Sequence, residues 1–429
     1  MAILPPGFIS DRSGNFGIMT ALLMVPLVGT AGMAVDFAHA LSLRTQLYAA
    51  ADAAAVGSIA EKSSAVAAAM AMNGNGNGTI SLGKTDARNI FMSQVSGELA
   101  EVHVDLGIDV TKTANKLNSQ VSFTATVPTT FMQIFGRDSI TISGTATAEY
   151  QTAAFMDFYI LLDNTPSMGV GATPSEVSKL EAKTGCAFAC HQMDKSTNNY
   201  TIAKSLGVAM RIDVVRQATQ ALTDTAKTER ISSDQFRMGV YTFGTKAEDA
   251  KLTTISGLTS DLTKVKNYTD AVDLMTIPYQ NYNNDQITNF DSAMTQMNTI
   301  IDPAGDGTSN TSAEKILFFV SDGVGDSYKP STCTKKTTGG RCQEPIDTSF
   351  CKPLKDRGVK IAVLYTTYLP LPSNSWYNTW IRPFQSEIPT KMQACASPGF
   401  YFEVSPTEGI TDAMKALFLK VIRAPRITS

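Results

Sequence analysis

Ser13 to Val35 reads SGNFGIMTALLMVPLVGTAGMAV and contains no charged residue. A run this long covers the roughly 30 Å hydrocarbon layer as one helix, the form a lone segment must take where no water can satisfy open backbone groups. Pro26 and glycines 17, 29 and 32 would disturb a soluble helix but are tolerated in membrane helices. The segment reads as an anchor. A cleaved signal peptide is the other reading, given Gly29, Ala31 and Ala34 near its end. The run is longer than a usual signal core, however, and helical character continues beyond it. Arg12 and Arg44 flank it with almost no positive-inside bias, so orientation must come from elsewhere.

The cysteines supply it. Cys186, Cys190, Cys333, Cys342, Cys351 and Cys395 all lie in the carboxyl-terminal part. An even number confined to one region of an anchored chain reads as disulfides formed in an oxidising compartment, with that part outside the cytoplasm. Spacing suggests a small loop at Cys186 and Cys190, a clip at Cys333 and Cys342 around TKKTTGGR, and a third bridge from Cys351 to Cys395, although sequence alone does not fix connectivity. CAFACH also invites haem or zinc readings, but haem attachment uses two intervening residues and zinc would lack a fourth ligand. With 36 basic against 39 acidic residues the chain has no basic stripe for nucleic acid, and 43% hydrophobic residues exclude global disorder.

Past the anchor, Asp36 to about Met72 is rich in Ala and Leu, with Leu43, Leu47, Ala51 and Ala54 at helical spacing, so the helix is expected to continue. NGNGNG at 73–78 marks a loop. A short helix is expected over 84–97. Alternation then predicts three strands: Val102 to Val110, Val121 to Val127, and Ile140 to Ala148. The helix is the natural cover for this sheet's apolar face, giving an α+β unit that ends near residue 150. His103 falls on the polar phase and reads as solvent-facing.

From residue 155 the pattern becomes apolar strands alternating with helices. FYILLD (158–163), RMGVYTF (237–243), KILFFVSD (315–322), VKIAVLY (359–365) and FYFEV (400–404) are separated by helical stretches that include 204–229, 287–301 and 407–421. This predicts an α/β fold with a doubly wound, mostly parallel sheet. Ligands of such sheets bind at the carboxyl ends of strands beside a topological switch point.

There the first strand delivers Asp163-Asn164-Thr165-Pro166-Ser167, one carboxylate and two hydroxyls on a strand-to-helix loop. Thr288 opens an expected helix, and KILFFVSDG delivers Asp322. The combination resembles the metal-ion-dependent adhesion site of von Willebrand factor type A domains, over roughly residues 156–424. That resemblance implies hydroxyl ligands from Thr165 and Ser167, a direct or water-mediated one from Thr288, and Asp163 and Asp322 holding coordinated waters. Hard oxygen donors select Mg2+, or Ca2+ or Mn2+ in looser geometry. Neutral hydroxyls leave the cation under-neutralised, so an acidic group from a partner can complete its shell. Thr165 stands where the family usually has Ser, and Pro166 where a small residue is common. Asp163→Ala is expected to remove cation-dependent binding without unfolding the domain.

No Walker loop, paired-histidine helix or Ser-His-Asp order is visible, and the chain has only His39, His103 and His191. No enzymatic activity and no small-molecule substrate are expected.

RSGNF at 12–16, the apolar run, Asp36, QLYAAADAAA, VPTTFMQIFGRDSITISGTATAEY at 127–150, CAFACH and CASPGFYFEV together resemble Tad/Flp pilus assembly proteins of the TadE/TadG type. The resemblance implies a single-pass bacterial inner-membrane protein whose carboxyl-terminal domain lies in the periplasm or at the cell surface. Its expected organisation is an anchor and extended helix (1–72), a small pilin-like α+β domain (73–150) and a type A domain with disulfide-bearing insertions (151–429). Its expected partners are proteins, namely pilus assembly components, and its membrane contact is through residues 13–35. The alternative is an adhesin-like module binding a host or matrix ligand.

Overall fold

The computed structural model describes residues 15–72, 77–97, 99, 102–113, 116–152, 154–249, 251–368, 370–405 and 409–423. Residues 13–14 of the apolar run, 73–76 of the expected loop and Thr407 lie outside these. The chain divides into two units, Met1–Thr152 and Ala153–Ser429.

In the first unit, helix α1 (Asn15–Ser58) runs unbroken through Pro26. Its amino-terminal part is long and apolar enough to cross a membrane, and only 6% of that apolar window is buried within the protein. Its carboxyl-terminal part buries Leu43, Leu47, Ala50, Ala51 and Ala54 against Val121, Phe123 and Ala125 of the sheet. The helix does not continue to Met72 as expected. It stops at Ser58, and Ser63 caps a separate α2 (Ser64–Ala71) by accepting the Val66 N–H, the usual work of a serine at a helix start.

There follow β1 (Gly78–Thr79), α3 (Ser81–Gln94), β2 (Val104–Thr113), β3 (Lys116–Pro128), a 3-10 turn (Met132–Phe135) and β4 (Ser139–Gln151). The strands pair antiparallel in the order β1-β2-β3-β4, with Val104 opposite Ala125 and Val121 opposite Ala146. Tyr48 of α1 meets Phe123 edge-on at 5.2 Å. Gly144 permits this close approach, since a Cβ there would lie 2.5 Å from the Tyr48 ring. His103 is exposed beside Asp105.

The second unit runs β5 (Met156–Leu162), α4 (Pro174–Thr184), α5 (Asn199–Ser205), α6 (Arg211–Glu229), β6 (Phe236–Thr242), β7 (Thr253–Thr259), α7 (Leu262–Thr269) and α8 (Phe290–Ile300). It continues through β8 (Glu314–Ser321), β9 (Val324–Tyr328), β10 (Thr337–Thr338), β11 (Arg341–Pro345), α9 (Lys352–Asp356), β12 (Lys360–Thr366), α10 (Ile388–Cys395), β13 (Tyr401–Val404) and α11 (Ile410–Ile422). The main sheet has the order β13-β12-β8-β5-β6-β7. All its pairs are parallel except β6 with β7. This is the expected doubly wound, mostly parallel sheet, with an antiparallel edge strand that the sequence reading did not identify.

Every residue of β5 and β8 is buried, as a central parallel strand covered on both faces requires. Alternate side chains feed two cores. Phe158, Ile160 and Leu162 pack with Val215 and Leu222 of α6 and Leu417 and Phe418 of α11. Tyr159 and Leu161 belong with Met294 and Met297 of α8 and Ile388 and Met392 of α10. The expected helix over 204–229 is two helices, because Gly207 takes φ 64° after α5 and turns the chain. Strands β10, β11 and β9 form a small antiparallel sheet inserted after β8.

Candidate functional site

Strands β5 and β8 run side by side with Leu162 opposite Val320, so both release their next residues at the same edge. Asp163 emerges from one and Asp322 from the other. The Ser321 hydroxyl donates to Asp163 Oδ2 at 2.6 Å. Asp163 Oδ1 accepts from the Thr165 N–H at 3.0 Å and the Thr165 hydroxyl at 2.7 Å. Asp163 thus folds its own loop back over its carboxylate. Pro166 opens a 3-10 turn (Pro166–Gly169), a position where a missing N–H and a fixed φ are tolerated. The turn brings the Ser167 hydroxyl to 3.5 Å from that of Thr165. Ser167 also hydrogen-bonds the Asp322 carboxylate. Asp322 Oδ1 accepts the Val324 N–H at 3.2 Å, across Gly323 at φ 75°.

Asp163, Thr165, Ser167 and Asp322 therefore meet. Thr288 joins differently. The helix it was expected to open begins at Phe290, capped by Asn289. Thr288 instead exchanges two backbone hydrogen bonds with Asp326, at 2.8 and 2.9 Å, four residues past Asp322. Asp326 is gripped in turn by Arg341 and Gln343 of β11, and Arg341 lies 4.4 Å from the centre of the Trp376 ring. Burial raises the Asp326 pKa to about 7. The inserted sheet thus braces the Thr288 segment beside the site.

The residue missed by the sequence reading is Arg211. It opens α6, is 1% exposed, and places Nη1 3.3 Å from Asp322 Oδ2. Its guanidinium lies 5.4 Å from the centre of the Tyr368 ring, and its Nε is buried with no hydrogen-bond partner. A cation at a helix amino terminus opposes the macrodipole, so an arginine in the apolar run GVAMRIDVV was itself the available signal of a buried acidic partner.

Asp163 and Asp322 are both fully buried. Burial pushes the Asp163 pKa up, against the pull of its hydroxyl donors and Arg211. Burial and then the negative charge of Asp163 raise that of Asp322 to about 6, while Arg211 opposes the rise. Two ionised carboxylates facing one guanidinium leave a surplus negative charge in a low-dielectric place, which a proton or a further cation relieves. Two carboxylates and two hydroxyls are a hard-oxygen donor set, so the residues present fit a divalent cation of the Mg2+, Ca2+ or Mn2+ kind. Asp163, Thr165 and Asp322 are closed to solvent, whereas Ser167 is half-buried and forms the accessible side. Asp163 also ties β8 to the loop through Ser321, so Asp163→Ala removes that tie together with the donor.

Bridges join Cys333 to Cys342 and Cys351 to Cys395. Cys186 and Cys190 are free thiols instead of the expected third bridge. An antiparallel bridge between Val170 and Phe188, with the Ala189 N–H on the Gly169 carbonyl at 3.0 Å, fixes the chain between the two cysteines. Burial pushes the Cys190 thiol up to about 12, which keeps it protonated and unreactive. The neighbouring His191 ring stacks on Tyr200 at 3.9 Å.

Comparison with known proteins gives a family match at the amino terminus. Residues 14–60 match the model described as "Putative Flp pilus-assembly TadE/G-like". No curated protein matches the chain. Among solved structures, the von Willebrand factor domain of the type V pili tip protein Mfa5 from Porphyromonas gingivalis is similar at 9% identity and TM-score 0.37, over 65% of this chain and 99% of that one. Proximal thread matrix protein 1 from the mussel byssus is similar at 13% identity and TM-score 0.33, over 62% of this chain and 46% of that one. These likenesses are distant, and the fold rests on the strand order and register given above. The matched residues are α1 and the turn that follows it, so the amino-terminal segment of this chain is TadE/G-like.

Proposed function

We propose that this chain is a membrane-anchored, extracytoplasmic component of tight-adherence (Tad/Flp) pilus assembly or anchoring. In this reading α1 holds it in the bacterial inner membrane, and its second unit binds a protein partner through a divalent cation at the edge of the sheet. The observation that carries the site reading is the meeting of two fully buried carboxylates, Asp163 and Asp322, with Arg211 the one guanidinium beside them among the described residues. A bound Mg2+, Ca2+ or Mn2+ supplies the missing positive charge and an affinity for an acidic side chain. Asp163, Thr165, Ser167 and Asp322 would hold it, with Thr288 at the braced neighbouring segment. Ser167, the half-buried member, stands where a partner's carboxylate can approach. The two expected bridges that form, at Cys333–Cys342 and Cys351–Cys395, agree with an oxidising compartment.

The test is a pull-down of the intact anchored protein from pilus-bearing cells, with and without chelator. Pilus assembly components are expected to be captured with divalent cation present and released by chelator. Ser167→Ala is expected to lose capture while destabilising the second unit by about 1.5–3 kcal/mol, since it removes a hydrogen bond to the buried Asp322 carboxylate. Capture by wild type that is indifferent to chelator contradicts the cation reading. Binding only to a host or matrix ligand, with no pilus component captured, contradicts the assembly reading and leaves an adhesin.

A further inference from the structure

The segment VPTTFMQIFGRD is absorbed neither by the sheet nor by the cation site. Its 3-10 turn lies along α1. Thr130, Phe131 and Met132 donate their backbone N–H groups to the Asp36 carboxylate at 3.0, 2.8 and 2.7 Å. The loop is closed at its base by the Thr129 N–H on the Asp138 carbonyl at 3.0 Å and the Arg137 N–H on the Met132 carbonyl at 3.1 Å. From that base the turn runs toward the amino-terminal end of α1. A Cβ at Gly32 would sit 2.6 Å from Phe131 Cβ, and one at Gly29 would sit 2.6 Å from Phe135 Cζ. Gly29, Gly32 and Asp36 are spaced three and four residues apart, so they share one helix face. Two glycines make the notch and one carboxylate makes the anchor.

Asp36 is the first charged residue after the apolar run. Gly29 lies seven residues before it, about 10 Å along a helix. If α1 spans the bilayer, the Phe135 ring is therefore well inside the acyl-chain layer, yet Phe131, Ile134 and Phe135 are 38%, 77% and 53% exposed. The exposed Leu22, Leu23, Val25, Leu27 and Val28 of α1 lie within two turns of Gly29, so the apolar surface of the turn adjoins that of the span. Backbone may enter hydrocarbon only when its polar groups are satisfied within the protein. The Asp36 carboxylate and the turn's own bonds provide this for the leading amides. The exposed Arg137 and Asp138, at the base with Met132, fall near the level of Asp36, where headgroups and water are available.

We propose that the turn Met132–Phe135 is a membrane wedge: Phe131, Ile134 and Phe135 insert beside α1 into the acyl chains of the leaflet nearest the folded domains, held at that depth by Asp36. This rests on the reading of α1 as a membrane span. It gives the first unit two attachments to the bilayer, which fixes its height and tilt on the surface where a single helix would leave it to swing.

The test uses the full chain reconstituted in phosphatidylethanolamine and phosphatidylglycerol vesicles whose acyl chains carry bromine, which quenches tryptophan in the hydrocarbon layer. Both native tryptophans, Trp376 and Trp380, lie in the second unit, so wild-type protein supplies the baseline. Leu23→Trp marks the span and Ile134→Trp marks the wedge, each replacing an exposed side chain. Loss of the added emission in both variants is the expected result. In an Asp36→Ala background, quenching is expected to fall at position 134 and persist at position 23. Quenching at 23 without quenching at 134 overturns the wedge while keeping the span, and means that water or a neighbouring protein covers the turn. Quenching at neither position overturns the span reading and the wedge with it.

Discussion

Removing the Cys351–Cys395 bridge, as Cys351→Ala with Cys395→Ala, is expected to destabilise the second unit by about 4 kcal/mol. The chain-entropy account gives roughly that for a closed loop of this size, since the two residues are 44 apart in sequence. Both cysteines are fully buried in the core that α8 and α10 share, Cys395 as the last residue of α10, so the lost sulfurs leave a cavity that adds to the effect. The Cys333–Cys342 bridge closes a separation of only 9 residues in the inserted sheet. Its removal is expected to cost less, about 2 to 3 kcal/mol by the same account. Denaturant unfolding followed by tryptophan fluorescence measures both losses on this unit alone, because Trp376 and Trp380 both belong to it. Equal losses, or a larger one for the shorter loop, would show that the longer bridge does not hold the core as described.

Arg211→Leu is expected to be of similar size and to depend on divalent cation. Breaking a buried ion pair from one side costs about 3–5 kcal/mol, because the remaining charge stays behind without a partner. Here two remain, Asp322 at 3.3 Å from the lost guanidinium and Asp163, whose negative charge acts on it. For a unit of this size the loss lowers the melting temperature by on the order of 10 °C. In chelator the full deficit is expected. With millimolar magnesium or calcium the variant recovers part of it, since a cation bound to the folded state alone stabilises that state. Adding Asp322→Asn to Arg211→Leu is expected to recover stability in chelator as well, because a neutral amide needs no countercharge. A variant whose melting temperature ignores both the cation and the second substitution would mean that the carboxylates do not sense Arg211.

The sheet was legible in the sequence for a physical reason. Strands buried on both faces carry near-continuous apolar runs, so FYILL and ILFFV stand out, and parallel register then delivers Asp163 and Asp322 to one edge. The antiparallel β7, TTISGLT, was not legible, since an edge strand with one exposed side mixes Thr, Ser and Gly with its apolar residues. Neither was the β10-β11-β9 insertion, whose strands are two to five residues long and half polar. Within the site, Asp163, Thr165 and Ser167 share a local loop and could be read together. Arg211 meets Asp322 across 111 residues, a contact that no spacing announces. Thr288 was placed on a helix because its periodicity runs into Phe290, whereas the Asp326 bridge claims it first. Cys186 and Cys190 illustrate the opposite error: nearness in sequence suggested a bridge, and both stand as free thiols.

The central claim is that the edge of the sheet takes up a divalent cation. Titration calorimetry on the purified full chain, with magnesium, calcium and manganese in turn, tests it most directly. The account predicts a single saturable uptake for at least one of these ions, abolished in Ser167→Ala at a temperature where that variant remains folded. Absence of uptake for all three, even with a captured partner supplied, would contradict it.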